Sequence, residues 1–196
     1  MKFKSHEELP WCTEEGFTVR RCPNRAWGII MDAYNLLKSG NVKRREHFEN
    51  IEDVILGENI TTDFFDLENL PTIQSILHEE LQQLHEEWSG HKLEPSAIYG
   101  IRSYNQGASL IQHVDRVATH HISCIIIVDK DLGNEEDWAL EIQDPQGNWH
   151  SVYADVGDII LYESAKCSHG RNLPLKGNWF RNFYVHYKLK NWQHII

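Results

Sequence analysis

The apolar positions of this chain change their period once, near residue 96. Before that point they recur every three to four residues, the spacing that gathers them on one face of an α-helix. Trp27, Ile30, Met31, Tyr34 and Leu37 predict a helix over Asn24–Ser39, stopped by Gly40. Ile73, Ile76, Leu77, Leu81, Leu84 and Trp88 predict a second, with Pro71 near its first turn and Ser89-Gly90 at its end. Its other face carries Glu79, Glu80, Glu86 and Glu87 and reads as solvated. Between the two helices, Lys43-Arg44-Arg45 reads as a solvated helix end, and the stretch around Asn59-Ile60-Thr61-Thr62-Asp63 as a connection. The opening stretch, to about residue 20, lacks a clear period and reads as an arm or covering segment.

Beyond residue 96 the period falls to two, the signature of strands with one buried face. Candidate strands are Ala97–Tyr104, Leu110–Asp115, Ile122–Val128, Trp138–Ile142, Trp149–Tyr153, Asp158–Tyr162 and Trp179–Tyr187. Asp144-Pro145-Gln146-Gly147-Asn148 and Val156-Gly157-Asp158 supply turn chemistry. Short strands at such intervals suggest a sandwich or jelly roll. The expected class is mainly β with a helical layer (α+β). Residues 1–95 form an arm and supporting helices, and residues 96–196 form the β core, in one integrated domain; 196 residues suffice for one well-buried core.

Charge and cysteine narrow the function classes. A net charge of −10 argues against a general nucleic-acid binder, because phosphate neutralisation needs a basic face. The start Met1-Lys2-Phe3-Lys4-Ser5-His6 has no apolar signal region, and no stretch is long enough to span a membrane, so a soluble, cytoplasmic protein is expected. Cys12, Cys22, Cys124 and Cys167 are too scattered for a disulfide framework or a Cys-x-x-Cys zinc site, and read as reduced thiols. Cys124 falls in an apolar run, while Cys167, two residues before His169, is a candidate to line a site.

The chemistry centres on His113-Val114-Asp115. An imidazole and a carboxylate two positions apart face the same way only on an extended backbone, where they make a chelate. The same spacing recurs at His47/Glu49, His78/Glu80 and His85/Glu87, but in stretches that read as helix, where residues two apart diverge. His169 offers a third donor late in the chain, and His120 and His121 are nearer rivals. Two histidines and a carboxylate on one face of an octahedral metal are the ligand set of non-haem iron(II) oxygenases.

Five ordered stretches then carry a family resemblance. They are Tyr104-x-x-Gly107-x-x-Leu110-x-x-His113-x-Asp115; Ser123 to Asp129; Gly157-Asp158 entering Ile159 to Ser164; His169-Gly170-Arg171; and Gly177 followed by Asn182-Phe183-Tyr184-Val185-His186-Tyr187. Together they resemble the prolyl 4-hydroxylase-like branch of the Fe(II)- and 2-oxoglutarate-dependent dioxygenases. The resemblance implies a double-stranded β-helix, that is, a jelly roll, with Fe(II) held by His113, Asp115 and His169, and with 2-oxoglutarate and O2 as co-substrates. It implies hydroxylation of an unactivated C–H with release of succinate and CO2, the first guess for the substrate being a peptidyl proline or other amino-acid side chain and the wider class a peptide or small molecule.

It also assigns further roles. Tyr104 matches a tyrosine that hydrogen-bonds the co-substrate, and Ser123 a small hydroxyl residue that helps hold its distal carboxylate. Tyr184 and His186 match substrate-side positions. The lysine that pairs the distal carboxylate in prolyl hydroxylases has no counterpart, since Gly177-Asn178-Trp179-Phe180 offers no basic residue. Arg181 ranks first as its replacement, Arg171 second, and Arg102 is a further rival. Period-two counting sets Phe180, Asn182, Tyr184 and His186 on one face and Arg181 on the other. Two other classes remain open: a cupin-type metal-binding jelly roll with a different reaction, and a non-catalytic interaction module on the same fold.

Overall fold

Alternation along the strands sorts their side chains into two cores, one on each face of a central sheet. In the computed structural model, residues 2–3, 9–40, 44–46, 55–56, 62–67, 70–190 and 193–194 are described. In chain order the strands are β1 (Lys2–Phe3), β2 (Phe17–Arg21), β3 (Arg44–Glu46), β4 (Ile55–Leu56), β5 (Thr62–Asp66), β6 (Leu93–Asn105) and β7 (Ser109–His113). They continue with β8 (Ile122–Asp131), β9 (Leu140–Gln143), β10 (Trp149–Val152), β11 (Asp158–Tyr162), β12 (His169–Arg171), β13 (Trp179–Leu189) and β14 (Gln193–His194). Two helices, α1 (Asn24–Ser39) and α2 (Pro71–Ser89), precede β6. A seven-stranded sheet has the order β2-β11-β8-β13-β6-β5-β3 and faces a five-stranded sheet of order β10-β9-β12-β7-β4. The fold is a β-rich jelly roll with a helical layer, as the change of period predicts.

On the central strands the parity is consistent. Ile122, Cys124, Ile126 and Val128 of β8, Ile159 and Leu161 of β11, and Phe183, Val185 and Tyr187 of β13 pack beneath the helices. Their neighbours Ile125, Ile127, Ile160, Tyr162 and Phe180 fill the space between the sheets, with Leu140 and Ile142 of β9 opposite. The helices contribute Ala26, Ile30, Ala33, Tyr34 and Leu37 from α1 and Leu77 and Leu81 from α2. Pro71 opens α2, and Gly90 closes it in the left-handed conformation at φ 70°, its N–H donating to the Glu86 carbonyl.

Several expectations are corrected. The stretch read as a connection is in part strand: Thr62–Asp66 pairs with Gly100–Ser103 and extends the main sheet. Arg44–Glu46 is a strand paired with β5 and not a helix end, while Lys43 lies outside the described residues, as does the His47/Glu49 pair. The opening segment is more than an arm, since Phe17–Arg21 pairs with β11 at the sheet edge. His169–Arg171 is also a strand, too short for its period to show. β7 ends at His113, so Asp115 lies just beyond it. No helix among the described residues is long and apolar enough to cross a membrane.

One glycine sets the shape of β6. Two residues, Tyr99 and Gly100, stand in β6 where β13 has only Tyr184, between the Val185↔Ile98 and Phe183↔Ile101 pairs. This bulge holds Gly100 at φ +143°, with its missing side chain directed at the Phe65 carbonyl. The extra residue turns Tyr99 to the same face as Arg102 and Tyr104.

A buried histidine under α2 makes stability depend on pH. His85 is fully buried against the Tyr187 ring, its Nδ1–H donates to the Leu81 carbonyl at 2.7 Å, and Nε2 has no partner. Burial pulls its pKa down to about 4 from an ordinary 6.5. The unfolded state therefore binds more protons between those values, and stability is complete above pH 6.5 and lost as pH falls towards 4. Urea unfolding across this range should show that loss. His85→Leu should remove a part of it on the order of 3 kcal/mol by pH 4.

Candidate active site

The predicted donors come from two adjacent strands and a loop. β7 and β12 pair antiparallel with His113 opposite His169, and the imidazole centroids are 4.4 Å apart. The Asp115 N–H donates to the Ser164 carbonyl at 2.8 Å, which fixes the loop after β7. Asp115 Oδ1 then lies 3.5 Å from His113 Nε2 and 3.9 Å from His169 Nε2. One donor atom from each of the three residues falls within 4.8 Å of the others.

The hydrogen bonds select the tautomers a metal needs. His113 Nδ1–H donates to the Ile111 carbonyl at 2.8 Å, and His169 Nδ1–H to the Cys167 carbonyl at 2.9 Å. Both Nε2 lone pairs are thereby left to face Asp115. Asp115 Oδ2 is buried without a hydrogen-bond partner. Burial pushes the Asp115 carboxyl up, but the surrounding His113, His169, His186 and His120 rings hold it well below the usual carboxylate range. Burial pulls His169 down to about 4. It also pulls on His113, where Asp115 and the Ile111 carbonyl outweigh it and keep the imidazole above its ordinary value. The set is an ionised carboxylate with two correctly turned imidazoles, and it fits a divalent cation.

The turn from Glu163 to Cys167 holds this arrangement. Glu163, which is buried, accepts hydrogen bonds from the backbone N–H groups of Cys12 and Thr13 and from the Thr13 hydroxyl, each at 2.8 Å. The N-terminal segment is thus tied to the turn that carries Ser164 and Cys167. Cys167 is buried with its Sγ donating to the Gly16 carbonyl at 3.3 Å. Nothing in the sequence pattern distinguishes Glu163 as this anchor.

Two histidines near the motif differ. His121 donates from Nε2 to the Val117 carbonyl and accepts at Nδ1 from the Leu189 N–H, so both nitrogens are engaged in the fold. The His120 ring packs 3.8 Å from that of His186, and His186 Nδ1 is 3.9 Å from Asp115 Oδ2. The hydrogen bonds behind His186 run in one direction. The His120 carbonyl can only accept, so Ser164 Oγ donates to it at 2.9 Å. Ser123 Oγ therefore donates to Ser164 Oγ at 2.6 Å, and His186 Nδ1–H donates to Ser123 Oγ at 2.7 Å. His186 is left neutral with Nε2 bare, in keeping with a pKa that burial lowers to about 3. Ser123 is engaged here, at the metal end.

On the other side of the metal site lies a different group of residues. Tyr104 and Tyr184 share a hydrogen bond of 2.9 Å, and Asn182 Nδ2 donates to the Tyr184 hydroxyl at 3.3 Å. Asn182 Oδ1 is buried without a partner. Arg171 is 3 % exposed, its guanidinium 4.6 Å from the ring centroids of both Trp138 and Phe180. It donates to the Trp138 carbonyl, and among the described residues no carboxylate pairs with it. Burial pulls its pKa below the ordinary arginine value. Arg102 is half-buried at 5.9 Å from the Tyr184 ring.

Arg181 lies on the opposite face of β13. It forms an ion pair with Asp129 at 2.8 Å, and it donates to Ser103 Oγ at 3.1 Å and to the Tyr34 hydroxyl. Those contacts fasten α1 to the sheet, as the period-two count implies for this parity. Asn182 and Tyr99 had no assigned role. Asn182 shares its parity with Tyr184, which was a usable signal; the bulge at Gly100 hid Tyr99.

No protein-family model matches the chain, and no curated protein sequence matches it at a significant level. Solved structures do. A prolyl 4-hydroxylase of Pseudomonas putida superposes with a TM-score of 0.60 at 11% identity, over 90% of this chain and 94% of that one. HygX of Streptomyces hygroscopicus, solved with nickel, 2-oxoglutarate and hygromycin B, gives 0.63 at 12% identity over 91% and 84%. A prolyl hydroxylase from Trichoplax adhaerens, in complex with a hypoxia inducible factor peptide fragment, gives 0.57 at 9% over 88% and 83%. The fold is that of the 2-oxoglutarate and iron(II) oxygenases.

Metal affinity should separate the ligands from their neighbours. His113→Ala, Asp115→Ala and His169→Ala should each weaken Fe(II) or Ni(II) binding by calorimetry by more than about 100-fold, beyond the effect typical of outer-shell partners. His120→Ala should bind the metal within about tenfold of the parent.

Proposed function

We propose that this protein is an Fe(II)- and 2-oxoglutarate-dependent hydroxylase acting on an unactivated C–H, with an amino-acid side chain of a peptide, proline first, as its target. The reading is carried by the converging Nε2 lone pairs of His113 and His169 beside the ionised Asp115 carboxylate. Those three residues would hold the iron on one face. Iron(II) bound there supplies the coupling of O2 to oxidative decarboxylation of 2-oxoglutarate, yielding succinate, CO2 and one hydroxyl on the substrate.

The protein's own work is to seat and shield the reactants. In this reading the distal carboxylate of 2-oxoglutarate is bound by Arg171. A buried guanidinium with only a carbonyl and two ring faces around it has an unmet charge, and a carboxylate meets it bidentately. The hydroxyls of Tyr104 and Tyr184 and the amide of Asn182 complete that end of the pocket. Arg181, already paired with Asp129, serves the fold. Tyr184 then belongs to the co-substrate, and His186, with Nε2 free to accept a hydrogen bond, to the substrate. The aromatic walls formed by Trp138, Phe180 and Tyr162 exclude water from the site. The peptide target is supported by the Trichoplax structure and its bound peptide fragment.

Two measurements test the reading. Anaerobic addition of Fe(II) and 2-oxoglutarate should give a weak visible charge-transfer band, absent in His113→Ala; metal binding with no such band would favour a cupin-type site, and neither signal a non-catalytic module. Arg171→Lys should raise the 2-oxoglutarate concentration for half-maximal band formation by about tenfold or more. Arg181→Met should leave that concentration within about twofold while lowering the unfolding temperature.

A further inference from the structure

Beside the metal site the outer edge of β6 is only partly covered among the described residues. Among the described residues, β5 pairs with β6 only from Gly100 to Ser103. The Leu67 N–H donates to the Tyr99 carbonyl at 3.2 Å, and α2 runs along the remainder: Glu86 Oε1 accepts from the Leu93 N–H at 3.0 Å, and two of its amides cap carbonyls, Gln74 Nε2 that of Ile98 at 2.8 Å and Gln82 Nε2 that of Leu93 at 3.0 Å. Between them a cleft of about 470 Å³ opens, lined by Gln74, Ser75, His78, Ser96, Ala97 and Tyr99 among others. Its volume falls within the range of about 300–1,000 Å³ found for ligand sites. Among the described residues no aspartate, glutamate, lysine or arginine lines it, although the chain as a whole is strongly charged.

Tyr99 lines the cleft and its ring reaches towards the site. That ring is 50% exposed and stacks on His120 at 6.2 Å and 21°, and it lies 5.9 Å from the His186 ring, whose Nδ1 is 3.9 Å from Asp115. A half-exposed aromatic ring held flat by an imidazole suits the CH-rich face of a saturated ring or aliphatic side chain. Beyond it lie amides, hydroxyls and the main chain of a strand edge, groups that match peptide N–H and C=O.

Resting on the hydroxylase reading, we infer that this cleft binds an uncharged peptide segment next to the hydroxylated residue, with Tyr99 as a specificity-determining contact. The main chain of the segment meets the β6 edge at Ser96 and Ala97. Its side chains lie against Ser75 and Gln74, where a charged group would be desolvated without a partner.

The test uses the full-length iron-loaded protein and pools of ten-residue peptides with a central proline, flanked by Ala/Ser, by Glu or by Lys, with succinate release as the readout. The neutral pool should stimulate release most. Tyr99→Ala should raise KM for it by about tenfold with kcat within about twofold, since the ring binds and does not react. Ser75→Glu, at an exposed helix position, should shift preference to the Lys-flanked pool by about tenfold, a change that no structural defect would produce. Preference of the parent for a charged pool, stimulation by hygromycin B but by no peptide, absence of stimulation by any pool, or unchanged KM and preference in both variants would each overturn the inference. The anaerobic charge-transfer band needs no substrate, so its presence in the same preparation keeps a failure here distinct from failure of the hydroxylase reading.

Discussion

A buried carboxylate is the constraint from which the active end of this fold is built. Asp115 has one oxygen turned to two imidazoles and the other enclosed without a hydrogen bond. Such a charge is tolerated in a protein interior only where cationic or metal partners compensate it. Everything around it secures those partners. The β7–β12 pairing sets His113 opposite His169, backbone carbonyls turn both rings, and the Ser164 carbonyl holds the Asp115 backbone. The Glu163 to Cys167 turn supplies two of these restraints, the Ser164 and Cys167 carbonyls, and Glu163 ties it in turn to Cys12 and Thr13. The N-terminal segment thus stabilises a metal site formed by residues a hundred and more positions later.

Two arginines ten residues apart show how burial and pairing assign roles. Arg181 is satisfied by Asp129, Ser103 and Tyr34, and its charge serves to fasten α1 to the sheet. Arg171 is more deeply buried and meets a carbonyl and two π faces, which together stabilise a cation less than a carboxylate does. The parity of β13 separates the two, because Arg181 points towards the helices while Phe180 and Asn182 point between the sheets.

Parity also explains how far the sequence could be read. The central strands are near-continuous apolar runs buried on both faces, so Ile122–Val128 and Asp158–Tyr162 were legible, as were both helices from their stripes. The His113/Asp115/His169 grouping was legible because its spacing demands an extended backbone. The polar or very short strands β2, β5 and β12 were not, because they carry too little apolar pattern to stand out, and pairing with long neighbours defines them. Tyr99 was hidden because a bulge at Gly100 inverts the count within one strand. The ranking of Arg181 over Arg171 followed an offset along the chain where the face of the strand was the physical criterion, and the doubt raised by period-two counting corresponds to the geometry observed.

The space between the sheets is divided by charge, and the division follows from the same strands. Towards Arg171 the walls combine a cation, two tyrosine hydroxyls and an amide, an environment that favours an anion. Towards Tyr99 they combine the imidazoles of His120 and His186, hydroxyls and a strand edge, with Arg116 the cation near enough to lower the His120 pKa. A direction of hydrogen bonding keeps His186 neutral: the His120 carbonyl orients Ser164, Ser164 orients Ser123, and Ser123 takes the Nδ1 proton of His186. Protonating His186 would leave a second positive charge buried beside the His120 ring, which is why burial keeps its pKa near 3 even with Asp115 close by. In the proposed reaction a dianionic keto acid would meet the cation on one side of His113, Asp115 and His169, and an uncharged substrate would meet the neutral groups on the other.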